Sequence, residues 1–251
     1  MIVEKVWRRM FTKLIKFILI ISHLVIGTCC ALYILYINNI QKKYFIEWWS
    51  SRLLQIFNVK TIINKDLKKM LSKKNYLIVS NHISWLDIFA INSICPVIFV
   101  SKYSVSKWPF IGWLAKATDT IFIDRNKISK IKETTIKIEN YLETKGSIFM
   151  FPEGTSTDGQ SLLPFKSNLF QSAINTNSDI LPIGIQYQNK KKFTSAPSYI
   201  GEMSLIDSVL NLIKLDSIDA KITILTPISK DCSRKLLAKK TYQKISNLIK
   251  S

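Results

Sequence analysis

Two side chains in the stretch Asn81-His82-Ile83-Ser84-Trp85-Leu86-Asp87 could work as a general base and its partner. A carboxylate held against one imidazole nitrogen fixes the ring's tautomer and stabilises its charged form, so the other nitrogen can take a proton from a hydroxyl. The spacing restricts how this can happen. Five residues along a regular α-helix turn two side chains about 140° apart, so the pair meets only if His82 lies in the turn before a helix and Asp87 in its first turn. Ser84 is suited to be the N-cap of that helix, and its spacing to Asp87 is the acidic form of a capping box. The plainer alternative is that Ser84 and Asp87 only cap a helix, with His82 a polar loop residue.

Further polar groups stand directly after short apolar runs, where α/β folds gather their sites. Ser101-Lys102 follows Val97-Ile98-Phe99-Val100, and Asp124-Arg125 follows Thr120-Ile121-Phe122-Ile123. Pro152-Glu153-Gly154-Thr155-Ser156 follows Ile148-Phe149-Met150-Phe151. A guanidinium fork, a lysine point charge and a Gly-Thr-Ser turn offering backbone N–H groups are together what a phosphate monoester needs. Taken singly, each is more often a solvated strand end than a ligand.

The elements that must hold these groups follow from the apolar pattern. From residue 75, beyond a charged bridge at 64–74, short apolar runs alternate with helical periodicity. That alternation marks an α/β domain, a central mostly parallel or mixed sheet flanked by helices. Strands are expected at 76–80, 97–101, 120–123, 147–151, 180–186 and 220–225. Ile128, Ile131, Ile138 and Leu142 recur at helical spacing. Ser167 is placed to cap a helix through Leu169, Phe170 and Ala173, and 233–250 reads as a basic amphipathic helix that docks on the sheet or on anionic lipid.

Composition bounds the partners. The 251 residues carry 36 Lys and Arg against 17 Asp and Glu, a formal charge of +19, and a surplus that large implies an anionic partner, either a membrane surface or nucleic acid. The aromatics gather near the apolar N-terminal region rather than among basic residues of a soluble surface, which argues against nucleic acid. Cys29, Cys30, Cys95 and Cys232 show neither metal-ligand spacing nor a disulfide framework, and His23 falls inside an apolar run, so no metal is expected.

Residues 1–16 are basic and amphipathic, and no charged residue appears from Phe17 to Asn39. At about 1.5 Å per residue this run is long enough to cross a bilayer. It is long for the core of a signal peptide, and Gly27-Thr28-Cys29-Cys30-Ala31 makes a poor cleavage site, so a retained membrane segment is expected. The aromatics of 44–57, Trp48 and Trp49 among them, suit a helix at the headgroup level, with packing on the soluble core as the alternative. The expected organisation is therefore membrane-associated helices over 1–60 and a catalytic domain over 61–251. Positive charge ahead of the apolar run puts the N-terminus in the cytoplasm, and a single full crossing would leave the remainder outside. A hairpin of residues 14–38 and 44–58 that enters the cytoplasmic leaflet of the inner membrane and returns keeps the domain on the cytoplasmic face.

Taken in chain order, Asn81-His82-x-Ser84-x-x-Asp87, Phe122-Ile123-Asp124-Arg125, Phe151-Pro152-Glu153-Gly154-Thr155-Ser156 and Leu181-Pro182-Ile183-Gly184-Ile185 resemble the four blocks of the glycerolipid acyltransferase family, above all its lysophosphatidic acid branch. The resemblance covers roughly residues 75–190. It implies His82 as general base with Asp87 as its partner, Arg125 and Lys102 holding an acceptor phosphate, Glu153, Gly154 and Thr155 shaping the acceptor site, and Pro182 near the acyl or acceptor pocket. It also implies an α/β fold, preceded in some members by a pair of membrane-embedded helices. The implied reaction moves a fatty acyl group from acyl-CoA or acyl carrier protein to the sn-2 hydroxyl of 1-acylglycerol 3-phosphate, giving phosphatidic acid for membrane phospholipid synthesis, with no cofactor beyond the donor. Acylation of another lysolipid, such as lyso-ornithine lipid, and anionic-lipid binding without catalysis are the alternatives. Two positions depart from the family pattern. Asp119 stands where many relatives have glycine, adding negative charge near the phosphate site unless it points away or pairs with Lys116, and Phe165-Lys166-Ser167-Asn168 lacks the glycine often found after the lysine.

Overall fold

The computed structural model describes residues 2–34, 38–124 and 128–250. The elements are α1 (Ile2–Ile34), α2 (Asn39–Ile56), β1 (Val59–Ile63), α3 (Leu67–Leu71), β2 (Tyr76–Ser80), α4 (Leu86–Asn92) and β3 (Ile98–Lys102). A 3-10 turn (Tyr103–Lys107) leads to α5 (Ile111–Ala117), β4 (Ile121–Ile123), α6 (Ile128–Thr144) and β5 (Ile148–Met150). A second 3-10 turn (Asn168–Phe170) runs into α7 (Gln171–Asn175), followed by β6 (Asp179–Asn189), β7 (Lys192–Phe193), α8 (Leu205–Ile213), β8 (Ile218–Ile224) and α9 (Arg234–Lys250).

The strands form one sheet in the order β1-β8-β6-β2-β5-β3-β4, with β7 paired to β6. From β6 to β4 every pairing is parallel, whereas β8 runs antiparallel to β6 and carries β1 parallel to itself. The fold is thus the mixed, mostly parallel α/β sheet that the apolar pattern implied. Parallel strands all point the same way, so β2, β5, β3 and β4 end side by side on one edge, and the polar stretches that follow them gather there.

Helices cover both faces, which is why β2 reads as an unbroken apolar run rather than an alternating one. On one face Ile78, Phe99, Phe149 and Ile183 pack with Leu53 of α2, Leu86 and Ala90 of α4 and Leu212 of α8. On the other, Leu77, Val79, Val100 and Met150 pack with Ile138 of α6, Ala173 of α7 and Leu237 of α9. The C-terminal helix therefore docks on the sheet, burying Leu237, Thr241 and Ile245.

At the N-terminus α1 and α2 fold back on one another, and the Trp49 indole stacks on the His23 ring with 4.6 Å between centroids. Among the described residues, Lys13–Cys30 of α1 is the one stretch long and apolar enough to cross a membrane. The Lys16 ammonium inside it is turned to the protein and donates to the Leu215 carbonyl, 3.4 Å away, just past the end of α8. The helix expected at 44–58 starts earlier, at Asn39, because Asn38 and Gln41 form a capping box. It buries Trp49, Leu53 and Leu54 against the domain and leaves Ile40, Tyr44 and Trp48 exposed, so packing on the core and an apolar outer face coexist. Strands β1 and β7 and helices α5 and α8 have no counterpart among the expected elements, and the charged bridge holds the short α3. Ser167 does precede a helical segment, but its side chain makes no capping hydrogen bond.

Candidate active site

The site begins where β2 ends. The Asn81 side chain extends the ladder by one step, its amide donating to the Ile185 carbonyl at 2.9 Å and accepting from the Ile185 N–H at 2.8 Å. This lets the main chain turn away at His82 while β6 continues beside it. His82 Nδ1 lies 2.8 Å from Asp87 Oδ2. The partner is a carboxylate, which only accepts, so Nδ1 carries the proton and Nε2 is the basic nitrogen. The ring stacks on Phe151, 4.0 Å between centroids, and keeps 21% of its surface exposed while Asp87 has none.

A buried carboxylate is costly unless donors surround it. Asp87 receives four: His82 Nδ1, the backbone N–H groups of Ile83 and Ser84 at 2.8 and 3.0 Å, all on Oδ2, and the Tyr187 hydroxyl at 2.8 Å on Oδ1. Burial and the neighbouring carboxylate hold the Tyr187 phenol well above its ordinary range, so it stays a donor. The helix starts at Leu86 with Trp85 in the cap position. Ser84 is therefore not the cap residue. Its hydroxyl accepts from Leu86 N–H at 3.3 Å, and only the return arm of the expected box, Asp87 to the Ser84 N–H, is made. Because that arm and the imidazole share one oxygen, capping and orienting the histidine are the same contact here rather than competing accounts of it.

The turn after β5 holds the other side of the motif. Glu153 is buried, and its two oxygens accept from the His82 N–H and the Leu163 N–H, both at 2.8 Å. Burial raises its carboxyl above the ordinary value, and those two hydrogen bonds pull it partly back. Glu153 thus braces the backbone of His82. Gly154 adopts φ +87°, a conformation suited to glycine, and its N–H goes to the Phe151 carbonyl at 3.3 Å. Thr155 is exposed, and the Ser156 hydroxyl donates to the Tyr199 carbonyl.

Lys102 is exposed at the end of β3, opposite Ile123 of β4. With β5 between β3 and β2, it stands about 10 Å across the edge from the His82 strand. Arg125 lies outside the described residues. Pro182 is buried within β6 beside Val79, on the sheet face opposite Ile183 and Tyr187, because neighbouring residues of a strand alternate in direction. Asp119 pairs with Lys42 of α2 rather than with Lys116, which draws its charge back to the N-terminal hairpin. Below the edge, Val100, Ile123, Met150, Phe151 and Leu169, with Lys166, line a cavity of about 270 Å³. Phe151 is the wall between that cavity and the imidazole.

Tyr187, Phe151 and Asn81 were not among the expected site residues. Only Tyr187 left a usable trace, a polar-tipped aromatic two residues beyond Ile185 on the same strand face.

A family model described as Acyltransferase matches residues 58–186. The chain is 32% identical over 147 residues to a 1-acyl-sn-glycerol-3-phosphate acyltransferase of Neisseria gonorrhoeae, covering 58% of this chain and 57% of that protein. It is 29% identical over 205 residues to a lyso-ornithine lipid O-acyltransferase of Pseudomonas aeruginosa, covering 81% and 78%. The matches thus span about half the length of the two Neisseria relatives. In fold it superposes on the crystal structure of the 1-acyl-sn-glycerophosphate (LPA) acyltransferase PlsC from Thermotoga maritima with a TM-score of 0.70, at 17% identity, over 96% of this chain and 95% of that one.

Proposed function

This chain belongs to the acyltransferase family, and on that premise we propose that it moves a fatty acyl group from the thioester of acyl-CoA or acyl carrier protein to the sn-2 hydroxyl of 1-acylglycerol 3-phosphate, forming phosphatidic acid. The observation that carries the reading is the 2.8 Å contact between His82 Nδ1 and a fully buried Asp87. With Nδ1 so occupied, Nε2 removes the proton of the acceptor hydroxyl, and the freed oxygen attacks the thioester carbonyl. As the tetrahedral intermediate collapses the thiolate leaves and takes the proton back from Nε2, so the products are an ester and a free thiol. Positioned base catalysis supplies about 10²–10⁴ in rate, and alignment of the two substrates supplies more. No acyl-enzyme is required, since a thioester is already activated. Ser84, the one hydroxyl close by in the motif, is buried and accepts from Leu86 N–H, which fits a structural role.

Lys102, at the end of β3, and Arg125 would hold the acceptor phosphate, with Gly154 and Thr155 at the adjacent turn. Residues 1–60 would attach the chain to the inner membrane and residues 61–251 would work at its cytoplasmic face, drawing lysophosphatidic acid from the lipid layer. A second acceptor is favoured by a specific observation: two relatives matched over 78% and 71% of their lengths act, by their names, on lyso-ornithine lipid. Purified protein given labelled acyl-CoA or acyl carrier protein with a panel of lysolipids, and products weighed by mass spectrometry, decides among acceptors and donors. His82→Ala should abolish transfer to every acceptor with the fold intact, and near-normal turnover would refute the mechanism.

A further inference from the structure

The segment joining β3 to β4 exposes three aromatic side chains, Tyr103 at 49%, Phe110 at 51% and Trp113 at 57%. Rings of this size ordinarily find cover in a folded chain, and here the scaffold is built to display them. The 3-10 turn meets the start of α5 so closely that a Cβ on Gly112 would come within 2.5 Å of the Ser106 carbonyl oxygen. Phe110 sits at φ +61°, ψ −57°, bridged by a 2.6 Å hydrogen bond from the Ile111 N–H to the Pro109 carbonyl. That is a γ-turn of the strained left-handed kind, unfavourable for a bulky residue. It sets Phe110 edge-on to Trp113, with 5.8 Å between ring centroids.

The charge along this segment is one-sided. No acidic residue occurs between Asp87 and Asp119, while Lys102, Lys107 and Lys116 are all exposed. Aromatic rings interleaved with cations, in a segment free of carboxylates, match the headgroup layer of an anionic bilayer, and they correct the expectation that the aromatics gather near the N-terminal region rather than among basic residues. Helix α5 also packs against α1, whose Phe17, Ile18 and Ile21 are exposed, so the segment that carries the patch sits beside the helix long enough to enter a membrane.

On the premise that the acceptor is a membrane lipid, we propose that Phe110 and Trp113 form a second membrane contact, made by the catalytic domain itself. The pair enters the headgroup layer of an anionic bilayer and holds the end of β3, where Lys102 lies, at the depth of a lipid phosphate. Helix α1 tethers the chain, and this contact sets the height and tilt of the acceptor site.

The test uses the full chain with its four cysteines changed to alanine and Phe110→Cys carrying an environment-sensitive nitrobenzoxadiazole fluorophore. With vesicles of phosphatidylcholine and phosphatidylglycerol, its emission should shift to the blue, and lipids spin-labelled near the headgroup should quench it. An unchanged spectrum, while flotation shows the chain bound to the vesicles, overturns the proposal. So does a blue shift that appears without lipid as protein concentration rises, which would make a second copy the occupant. In parallel, the Phe110→Ser/Trp113→Ser variant should transfer to acceptor in vesicles at least about tenfold more slowly than wild type, while holding within about twofold in detergent micelles. Equal loss in both settings marks a merely structural role and overturns the proposal. The fluorescence readout needs no turnover, so a wild-type chain that transfers no acyl group would refute the functional reading and leave this contact to be decided by the spectrum.

Discussion

Replacing Asp87 by Asn separates two things a carboxylate does for an imidazole. Both Ile83 and Ser84 donate their N–H groups to Oδ2, the oxygen that faces His82. In Asp87→Asn these two donors select the carbonyl oxygen for that position and turn the NH2 toward Tyr187, whose hydroxyl can accept as well as donate. The histidine therefore keeps its Nδ1 proton and its orientation, and only the charge is lost. Unit charges about 4 Å apart at an effective dielectric of about 20 attract by roughly 4 kcal/mol, equivalent to about 10³ in rate. Because 21% of the histidine side chain is exposed, water screens part of this, and the expected fall in kcat is about 10²–10³-fold with KM little changed. Steady-state transfer from a saturating thioester gives both constants, and a thermal melt confirms that the variant is folded. A fall smaller than about tenfold, or an effect confined to KM, would mean that Asp87 does not stabilise a charged imidazole during the reaction.

Tyr187→Phe should cost ~1.5–3 kcal/mol of stability in urea unfolding, since Oδ1 of a buried carboxylate loses its hydroxyl donor. Its effect on kcat should be smaller than that of Asp87→Asn, because Oδ2 still meets the ring; a larger effect would assign Tyr187 a direct part in the chemistry. Lys102→Ala should raise KM for a phosphate-bearing acceptor by about fivefold, the worth of an exposed charge contact near 1 kcal/mol. An equal change with a phosphate-free lysolipid would contradict its assignment. Burial holds Glu153 above its ordinary value of 4.5, so the native state binds more protons there than the unfolded chain, and the stability this gives is lost as the pH rises from 4.5 through the raised value. Glu153→Gln should remove that pH dependence while costing ~1–3 kcal/mol, because one of two backbone N–H groups then faces an amide NH2. Unfolding curves with the same pH slope in both proteins would place the titration elsewhere.

Much of the frame is local in origin and so legible in the sequence. The six strands expected from apolar runs all form, because a run such as Tyr76-Leu77-Ile78-Val79-Ser80 has few ways to hide other than inside a sheet covered on both faces. What escaped were β1, whose Lys60 and Thr61 dilute the apolar signal directly after a helix, the two-residue β7, the short α3 and α5, and α8, whose apolar positions do recur at helical spacing behind the Ser204 cap although Ile206 and Leu210 stay exposed. The pairing of Asp119 was missed for another reason: Lys116 is near in sequence, but the partner, Lys42, lies 77 residues away on α2.

By itself the sequence determined that His82 and Asp87 can meet, since a turn followed by a helix start brings a spacing of five within hydrogen-bonding reach, and such geometry depends only on neighbours along the chain. Tertiary structure alone decided what surrounds them. Tyr187 reaches Asp87 from 100 residues away, Glu153 braces the His82 backbone across 71, and Pro182, adjacent in its motif to Ile183, falls on the opposite face of the sheet. Strand order and register fix each of these, and a single step along a strand exchanges one face for the other. No local pattern encodes which strands become neighbours, because that choice is made by the burial of the whole sheet between its two layers of helices.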